Sequence, residues 1–310
     1  LSCLLCGEIG FRELFRASDR LYGTTAELFP VVQCTGCGLV RLESVPDDLG
    51  RFYPKSYWFK PGTSLAARLE EQYRRLLIRD HVAFVERSLR EAGGPVLDVG
   101  CGGGLFLGVL QQRGARVLGL DNSEAAARAA REQNRVTVML GDLLCAPVAP
   151  GSCGVVTMFH VLEHLPDPAG FLLAAKTLLR AGGRLVVQVP NIDCWQYRLL
   201  GFRWNGVDVP RHLTNFRARD LDALLQRCGF TVRRRKFFSW RDNPAGLATS
   251  LAPGLDPMAR NVRELDSTAS SKLLKDVLYL GLVAASVPFA WAEAAAGKGS
   301  TVMVEAEAAV

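Results

Sequence analysis

The sequence predicts an α/β protein: a doubly wound, mostly parallel sheet preceded by a small cysteine-bearing module. Three observations carry that prediction. Short apolar runs at 96–99, 116–120, 136–140, 155–159 and 184–189 alternate with helical stretches, the pattern of parallel strands joined by right-handed crossovers. The first run leads into a glycine turn, Val96-Leu-Asp98-Val-Gly100-Cys-Gly102-Gly-Gly104, and the second ends in an acid, Gly119-Leu-Asp121. Two Cys-x-x-Cys-Gly strings, at 3–7 and 34–38, precede the alternation.

At 310 residues the chain has room for about two domains. Hydrophobic residues at 49% with charged residues at 22% exclude a disordered or fibrous chain. Lys and Arg number 37 against 31 Asp and Glu, and the resulting +6 suits anionic partners without marking a dedicated nucleic-acid binder.

Residues 1–45 read as a separate hairpin module, with β-like runs at 29–32 and 39–42. Its cysteine pairs, Cys3 with Cys6 and Cys34 with Cys37, stand 27 residues apart, a four-thiolate pattern for tetrahedral zinc. Four thiolates leave no open position, so the expected zinc is structural and stabilises a module too small for its own core. A thioredoxin-like redox pair would need a βαβ setting that is missing around these strings. The other cysteines, at 101, 145, 153, 194 and 228, stand alone among apolar residues, as buried thiols do in a reducing compartment, and predict a cytoplasmic protein. The opening Leu-Ser-Cys shows neither the basic nor the apolar region of a signal peptide.

Residues 46–92 read as a linker, aromatic at Tyr57-Trp58-Phe59, and then a helix over 64–91 closed by Gly93-Gly94. The large unit follows at 93–310. Asn122 and Ser123 are placed to cap a helix at 124–133, and Asp167-Pro168 to start one that ends at Gly182-Gly183.

A glycine turn after a first strand lets a ligand approach the backbone, and an acid ending the second strand can accept both ribose hydroxyls. Position 105 is leucine, so the dinucleotide spacing G-x-G-x-x-G is not met. The acid-preceded G-x-G-x-G turn instead resembles motif I of the class I S-adenosylmethionine (SAM) dependent methyltransferases. The resemblance continues through Gly141-Asp142-Leu143, through the string from Val155 to Pro168, and through 178–187. It implies a Rossmann-like sheet of seven strands with an antiparallel last strand. It also implies that Asp98, Gly100, Gly102 and Gly104 cradle the methionine part of SAM, and that Asp121 holds the ribose with Asn122 beside it. Asp142 would then accept from the adenine amino group, Leu143 would pack on or donate to the ring, and His160 would border the cofactor. The cysteine module resembles the N-terminal zinc-binding domain that some bacterial members carry.

Of four histidines, His160, His164 and His212 fall where this resemblance places the acceptor pocket. His160-Val-Leu-Glu163-His164 also fits the H-x-x-E-H string of inverted zinc peptidases, but Pro166 and the new helix start at 167–168 exclude the long helix that string needs. It is closer to O-methyltransferases of the ubiquinone-pathway and small-RNA type, where Glu-x-x-Glu-His and a later histidine hold a divalent cation. Here His160 stands in place of the first glutamate. Three roles stay open: Glu163, His164 and His212 hold an active-site cation, a histidine acts as general base, or the group only braces its loop. The segment 205–216 resembles a lid, in which Arg211 either binds an anionic substrate group or sits in a salt bridge.

The segments 228–238 and 299–305 read as the last two strands, an antiparallel hairpin in this family. Between them lies a helical insertion, about 240–299, with a Pro/Gly-rich stretch at 243–257 and an apolar run at 272–296. That run either packs over the sheet or a dimer interface, or lies on lipid and meets a lipid-linked substrate. Its apolar part, 277–292, is broken by Pro288 and falls short of the ~18 residues of a membrane span. The basic string 233–236 alternates between strand faces and reads as a solvated edge.

The reading is an enzyme that moves the SAM methyl to an O, N or C nucleophile of a small molecule, whether sugar, quinone-like or lipid-linked. An RNA or protein methyltransferase that docks substrate through the ribbon, and a noncatalytic SAM-binding interaction protein, are the alternatives. Without an extended basic and aromatic stripe, nucleic acid is not the expected partner.

Overall fold

The computed structural model describes residues 2–53, 65–266 and 268–309. The aromatic string at 57–59 lies outside them. Three strands come first, β1 (Phe11–Ala17), β2 (Phe29–Cys34) and β3 (Val40–Leu42), followed by α1 (Leu65–Leu77) and α2 (Arg79–Ala92). The alternating region is β4 (Val96–Val99), α3 (Leu105–Gln112), β5 (Val117–Asp121), α4 (Glu124–Asn134), β6 (Val138–Leu140), β7 (Cys153–Phe159), α5 (Pro168–Leu178) and β8 (Leu179–Pro190). The chain then forms α6 (Trp195–Leu200), β9 (Thr214–Asn215), α7 (Ala218–Arg227) and β10 (Phe230–Lys236), and ends with α8 (Asn243–Leu251), α9 (Pro257–Val262), α10 (Ala269–Ala295) and β11 (Thr301–Ala308).

Seven strands form the large sheet in the order β10-β11-β8-β7-β4-β5-β6. β4 to β8 run parallel, and β11 alone is antiparallel to its neighbours, as expected. β4 is an interior strand, between β7 and β5, with all four residues buried, because both faces are covered by helices. The caps explain the helix starts. The Ser123 hydroxyl accepts from Ala126 N at the head of α4, and Asp167 accepts from Gly170 N with Pro168 in the first turn of α5. Asn122 takes no part in the cap. The end of α5 differs from expectation, for the helix stops at Leu178 and Gly182-Gly183 lies within β8. Cys153 pairs with Leu179 but Val155 with Arg184, so β8 bulges between these points, and Gly182 supplies the left-handed turn.

The cysteine module is less separate than its sequence suggests. Its sheet has the order β1-β2-β3-β9, and β9 comes from the large unit. Arg41 pairs with Thr214, and Leu42 N donates to Leu213 O at 3.0 Å. Leu5 and Leu39 pack in the same core as Leu97 and Val187. Arg217 donates to the carbonyl of Cys37, which ties the second knuckle to the start of α7.

Arg211 makes the strongest tie. Its guanidinium is fully buried and donates to Asp19 from both terminal nitrogens at 2.9 Å, to Phe52 O at 3.1 Å, and to Asp208 from Nε at 3.0 Å and from a terminal nitrogen at 2.5 Å. All five N–H groups are answered, so Arg211 is a structural cation and is closed to a substrate anion.

The insertion is helical throughout most of its length, and the stretch expected as Pro/Gly-rich begins with α8, whose Pro244 sits in the first turn. One side of α10 packs on α8, and its buried Glu293 accepts from Gln196 N at 2.9 Å and Gln196 Nε2 at 3.0 Å. The other side exposes Leu273, Leu274, Val277, Leu278, Leu280 and Trp291. Contrary to the sequence reading, α10 reaches the length and hydropathy of a membrane span, since Pro288 does not interrupt the helix; only 22% of its most apolar window is buried.

Arg211→Ala leaves two carboxylates buried without their cation, and the expected loss of stability is about 3–5 kcal/mol. Deleting the exposed Arg128–Glu124 pair, 2.6 Å long, is expected to cost under about 0.5 kcal/mol. Urea unfolding of both variants checks the contrast; equal losses would contradict it.

Candidate active site

The glycine turn after β4 closes against two neighbours. Gly100 has φ +69°, and a Cβ there would lie 2.8 Å from Val161 Cγ2. Gly104 has φ +71° at the head of α3, and a Cβ there would lie 2.7 Å from that of Ala130. Only glycine satisfies both conditions at once. The first contact also brings the loop after β7, which carries Glu163 and His164, against the turn.

Asp121 is buried and staples the turn: Gly102 N donates to one carboxylate oxygen and Ser123 N to the other, both at 2.8 Å. Each oxygen keeps a second lone pair for a ribose hydroxyl. Asn122 is exposed beside it. Asp142 is exposed after β6 and accepts from Leu144 N at 2.8 Å, while the Leu143 side chain is buried in the main core. Asp98, at the end of β4, accepts from the Thr157 hydroxyl at 2.6 Å. Burial pushes its pKa up to about 7 against that hydrogen bond, and nearby Asp121 adds to the rise.

A cavity of about 320 Å³ opens over the turn, lined by Asp98, residues 100–106, Phe159, Arg241 and Met258 among others. Asp121, Asp142 and Leu143 lie outside its lining, so among the residues expected to hold the cofactor the cavity meets Asp98, Gly100, Gly102 and Gly104.

The structure brings Glu163, His164 and His212 together and sets His160 apart. One ligand atom from each of the three lies within 4.8 Å of the others. Leu213 N donates to Glu163 O at 2.7 Å, which carries the lid, and with it His212, against this loop. His164 Nδ1 is 3.0 Å from Arg211 O, and His212 Nδ1 is 2.8 Å from Gly206 O. A carbonyl only accepts, so each Nδ1 carries a proton and, in a neutral ring, Nε2 holds the lone pair; His212 Nε2 lies 3.9 Å from Asp208 Oδ2. Burial and the neighbouring His212 push the His164 pKa down to about 4, which keeps that ring neutral. Tyr53 Oη also lies 3.0 Å from His164 Nδ1.

His160, at φ +57°, belongs to a polar network behind the loop. Gln188 Nε2 reaches Asp242 at 2.6 Å and His160 Nε2 at 2.9 Å; the opposite amide orientation would set its oxygen against the Asp242 carboxylate. His160 donates from Nδ1 to Glu163 Oε1 at 3.0 Å, and against the effect of burial the Asp242 and Glu163 carboxylates push its pKa up to about 9. The other oxygen of Glu163 is buried and, among the described residues, has no hydrogen-bond partner. A bare carboxylate oxygen and two bare imidazole nitrogens form a donor set that suits a divalent cation.

The cysteines also meet. Cys3 and Cys37 Sγ are 3.5 Å apart, as are Cys6 and Cys34, and one Sγ from each residue lies within 4.8 Å of the rest. Thiolates on tetrahedral zinc stand about 3.8 Å apart, given Zn–S near 2.3 Å. Gly7 and Gly38 turn through φ +75° and +78° and donate back to the carbonyls of Cys3 and Cys34 at 2.9 Å, which builds both knuckles.

Comparison with known proteins agrees with this geometry. A family model described as a methyltransferase domain matches residues 69–234. The chain belongs to the class I SAM-dependent methyltransferases. The ubiquinone biosynthesis O-methyltransferase of Pseudomonas aeruginosa is 33% identical over 164 residues, covering 49% of this chain and 71% of that one. The enzyme of the same description from Stutzerimonas stutzeri is 30% identical over 168 residues, with the same shares. Among solved structures, one from Galdieria sulphuraria assigned to the sarcosine dimethylglycine methyltransferases shares the fold, with a TM-score of 0.51 at 14% identity over 78% of this chain and 88% of that one.

Sequence reasoning missed Tyr53, Gln188, Arg241 and Asp242 in this methyltransferase. No spacing signals them, because each arrives from a distant segment.

An ammonium group favours ionised Asp98, so SAM binding should expel a proton. Its affinity is expected to fall by up to about tenfold per pH unit below pH 7, and Asp98→Asn to weaken binding and flatten the profile. Calorimetry between about pH 8 and pH 6 checks this; a wild-type affinity that ignores pH would contradict it.

Proposed function

We propose that this methyltransferase moves the SAM methyl to a hydroxyl oxygen of a small-molecule acceptor that is quinone-like or lipid-linked. The observation that carries the reading is the Glu163, His164 and His212 cluster, with its bare Nε2 atoms, held against the cofactor turn through Val161. The relatives named for O-methylation in ubiquinone biosynthesis support it. The exposed apolar side of α10 supports an acceptor with a lipid tail.

The sulfonium methyl is already activated, so the protein must align the hydroxyl, receive its proton and exclude water. As the O–C bond forms and the C–S bond breaks, the electron pair returns to sulfur and leaves S-adenosylhomocysteine. In the cation-free site, the Nε2 lone pair of His212 takes the hydroxyl proton. A divalent cation held instead by Glu163, His164 and His212 would occupy that lone pair and supply a lower hydroxyl pKa, with the proton passing to solvent. Structural zinc at Cys3, Cys6, Cys34 and Cys37 belongs to the same reading, where it fixes the module that holds the lid through β9.

The test is turnover of methyl-labelled SAM with a panel of catechols, phenols, sugars and their lipid-linked forms. The expected label is on oxygen, and Glu163→Gln and His212→Ala should each cut turnover at least about a hundredfold while SAM still binds. Label on nitrogen or carbon, or full turnover in both variants, would refute the proposal.

A further inference from the structure

The cavity over the glycine turn is bounded on one side by residues that the methyltransferase match, which ends at 234, does not reach. Arg241 and Met258 both line it, and both come from the insertion between β10 and β11. Asp98 lines the same cavity at the end of β4. Each of the two charged groups is within electrostatic reach of the other, Arg241 drawing the Asp98 pKa down and Asp98 raising that of Arg241.

Arg241 is anchored at one point. Its Nε donates to Asp242 Oδ1 at 2.8 Å, and its terminal nitrogens make no hydrogen bond among the described residues. Asp242 is itself fixed: Gln188 Nε2 and the Ser239 hydroxyl both donate to its other oxygen at 2.6 Å. His160 Nε2 and His81 Nε2 lie 3.6 and 3.7 Å from that oxygen. The guanidinium is thus held by its stem and lines the cavity with two nitrogens unused. The other basic residue of the lining, Arg74, pairs with Glu71 at 3.7 Å.

The methionine end of SAM carries an ammonium and a carboxylate on one carbon, and burying it requires an anion and a cation in one cleft. We propose that Arg241 binds the carboxylate of SAM across the cavity from Asp98, so that the insertion completes the cofactor site. The carboxylate accepts from the terminal N–H groups in the forked geometry of a guanidinium. Asp242 is a positioning residue that acts through Nε of Arg241. The inference rests on SAM being the cofactor and is independent of the acceptor.

The test is calorimetric titration of the full chain with SAM, decarboxylated SAM and 5′-methylthioadenosine. Wild type is expected to prefer SAM over its decarboxylated form by about ten- to a hundredfold. Arg241→Gln should erase that preference and leave 5′-methylthioadenosine, which lacks the whole amino-acid end, bound as before. A variant that keeps the preference, or that loses 5′-methylthioadenosine as much as SAM, would overturn the assignment. If wild type bound none of the three, the cofactor reading would fall and this inference with it.

Discussion

A buried guanidinium with every N–H group answered sets the geometry around Glu163, His164 and His212, the proposed acceptor site. Arg211 joins Asp19 of the cysteine module, the carbonyl of Phe52 in the linker, and Asp208 of the lid. Desolvating such a cation costs several kcal/mol unless each donor finds a partner, so these segments must meet in one arrangement or not at all. The same residue places both histidines: its carbonyl accepts from His164 Nδ1, and His212 is its neighbour in the chain. Two carboxylates around one guanidinium leave a net negative charge beside the cluster. That field favours a cation between His164 and His212.

The cysteine module is therefore a brace for the lid. Strand pairing of β3 with β9 fixes one end of the segment that carries His212, and the Arg211 contacts fix the other. The insertion plays a matching part on the cofactor side, where Asp242 ties Gln188 of β8 to Arg241 at the cavity. Through Gln188 and His160 this network reaches Glu163, so the walls of the cofactor and acceptor sites share one chain of hydrogen bonds.

What was legible in the sequence was local. The strand, turn and helix around Gly100 to Gly104 are dictated by residues within ten positions of one another, and so are the two cysteine knuckles and the caps at Ser123 and Asp167. What was not legible depends on partners far apart in the chain. Nothing near Arg211 announces that Asp19, almost two hundred residues earlier, will neutralise it, and so a substrate contact and a salt bridge read equally well. The glycine pair at 182–183 has the composition of a helix end and serves instead as a bulge, because the partner strand decides its register. The resemblance set His160 beside the cofactor, whereas its left-handed backbone turns it toward Gln188 and Glu163, partners that only the fold brings to it.

The central claim is that a residue of the cysteine module holds the acceptor site in place. Amide hydrogen exchange on wild type and Asp19→Ala tests it most directly, because Asp19 touches neither the cofactor cavity nor the histidines. The account predicts that protection at His212 and Leu213 falls together with that at Tyr22 and Thr24. Loss confined to residues 19–24, with His212 and Leu213 protected as in wild type, would contradict it.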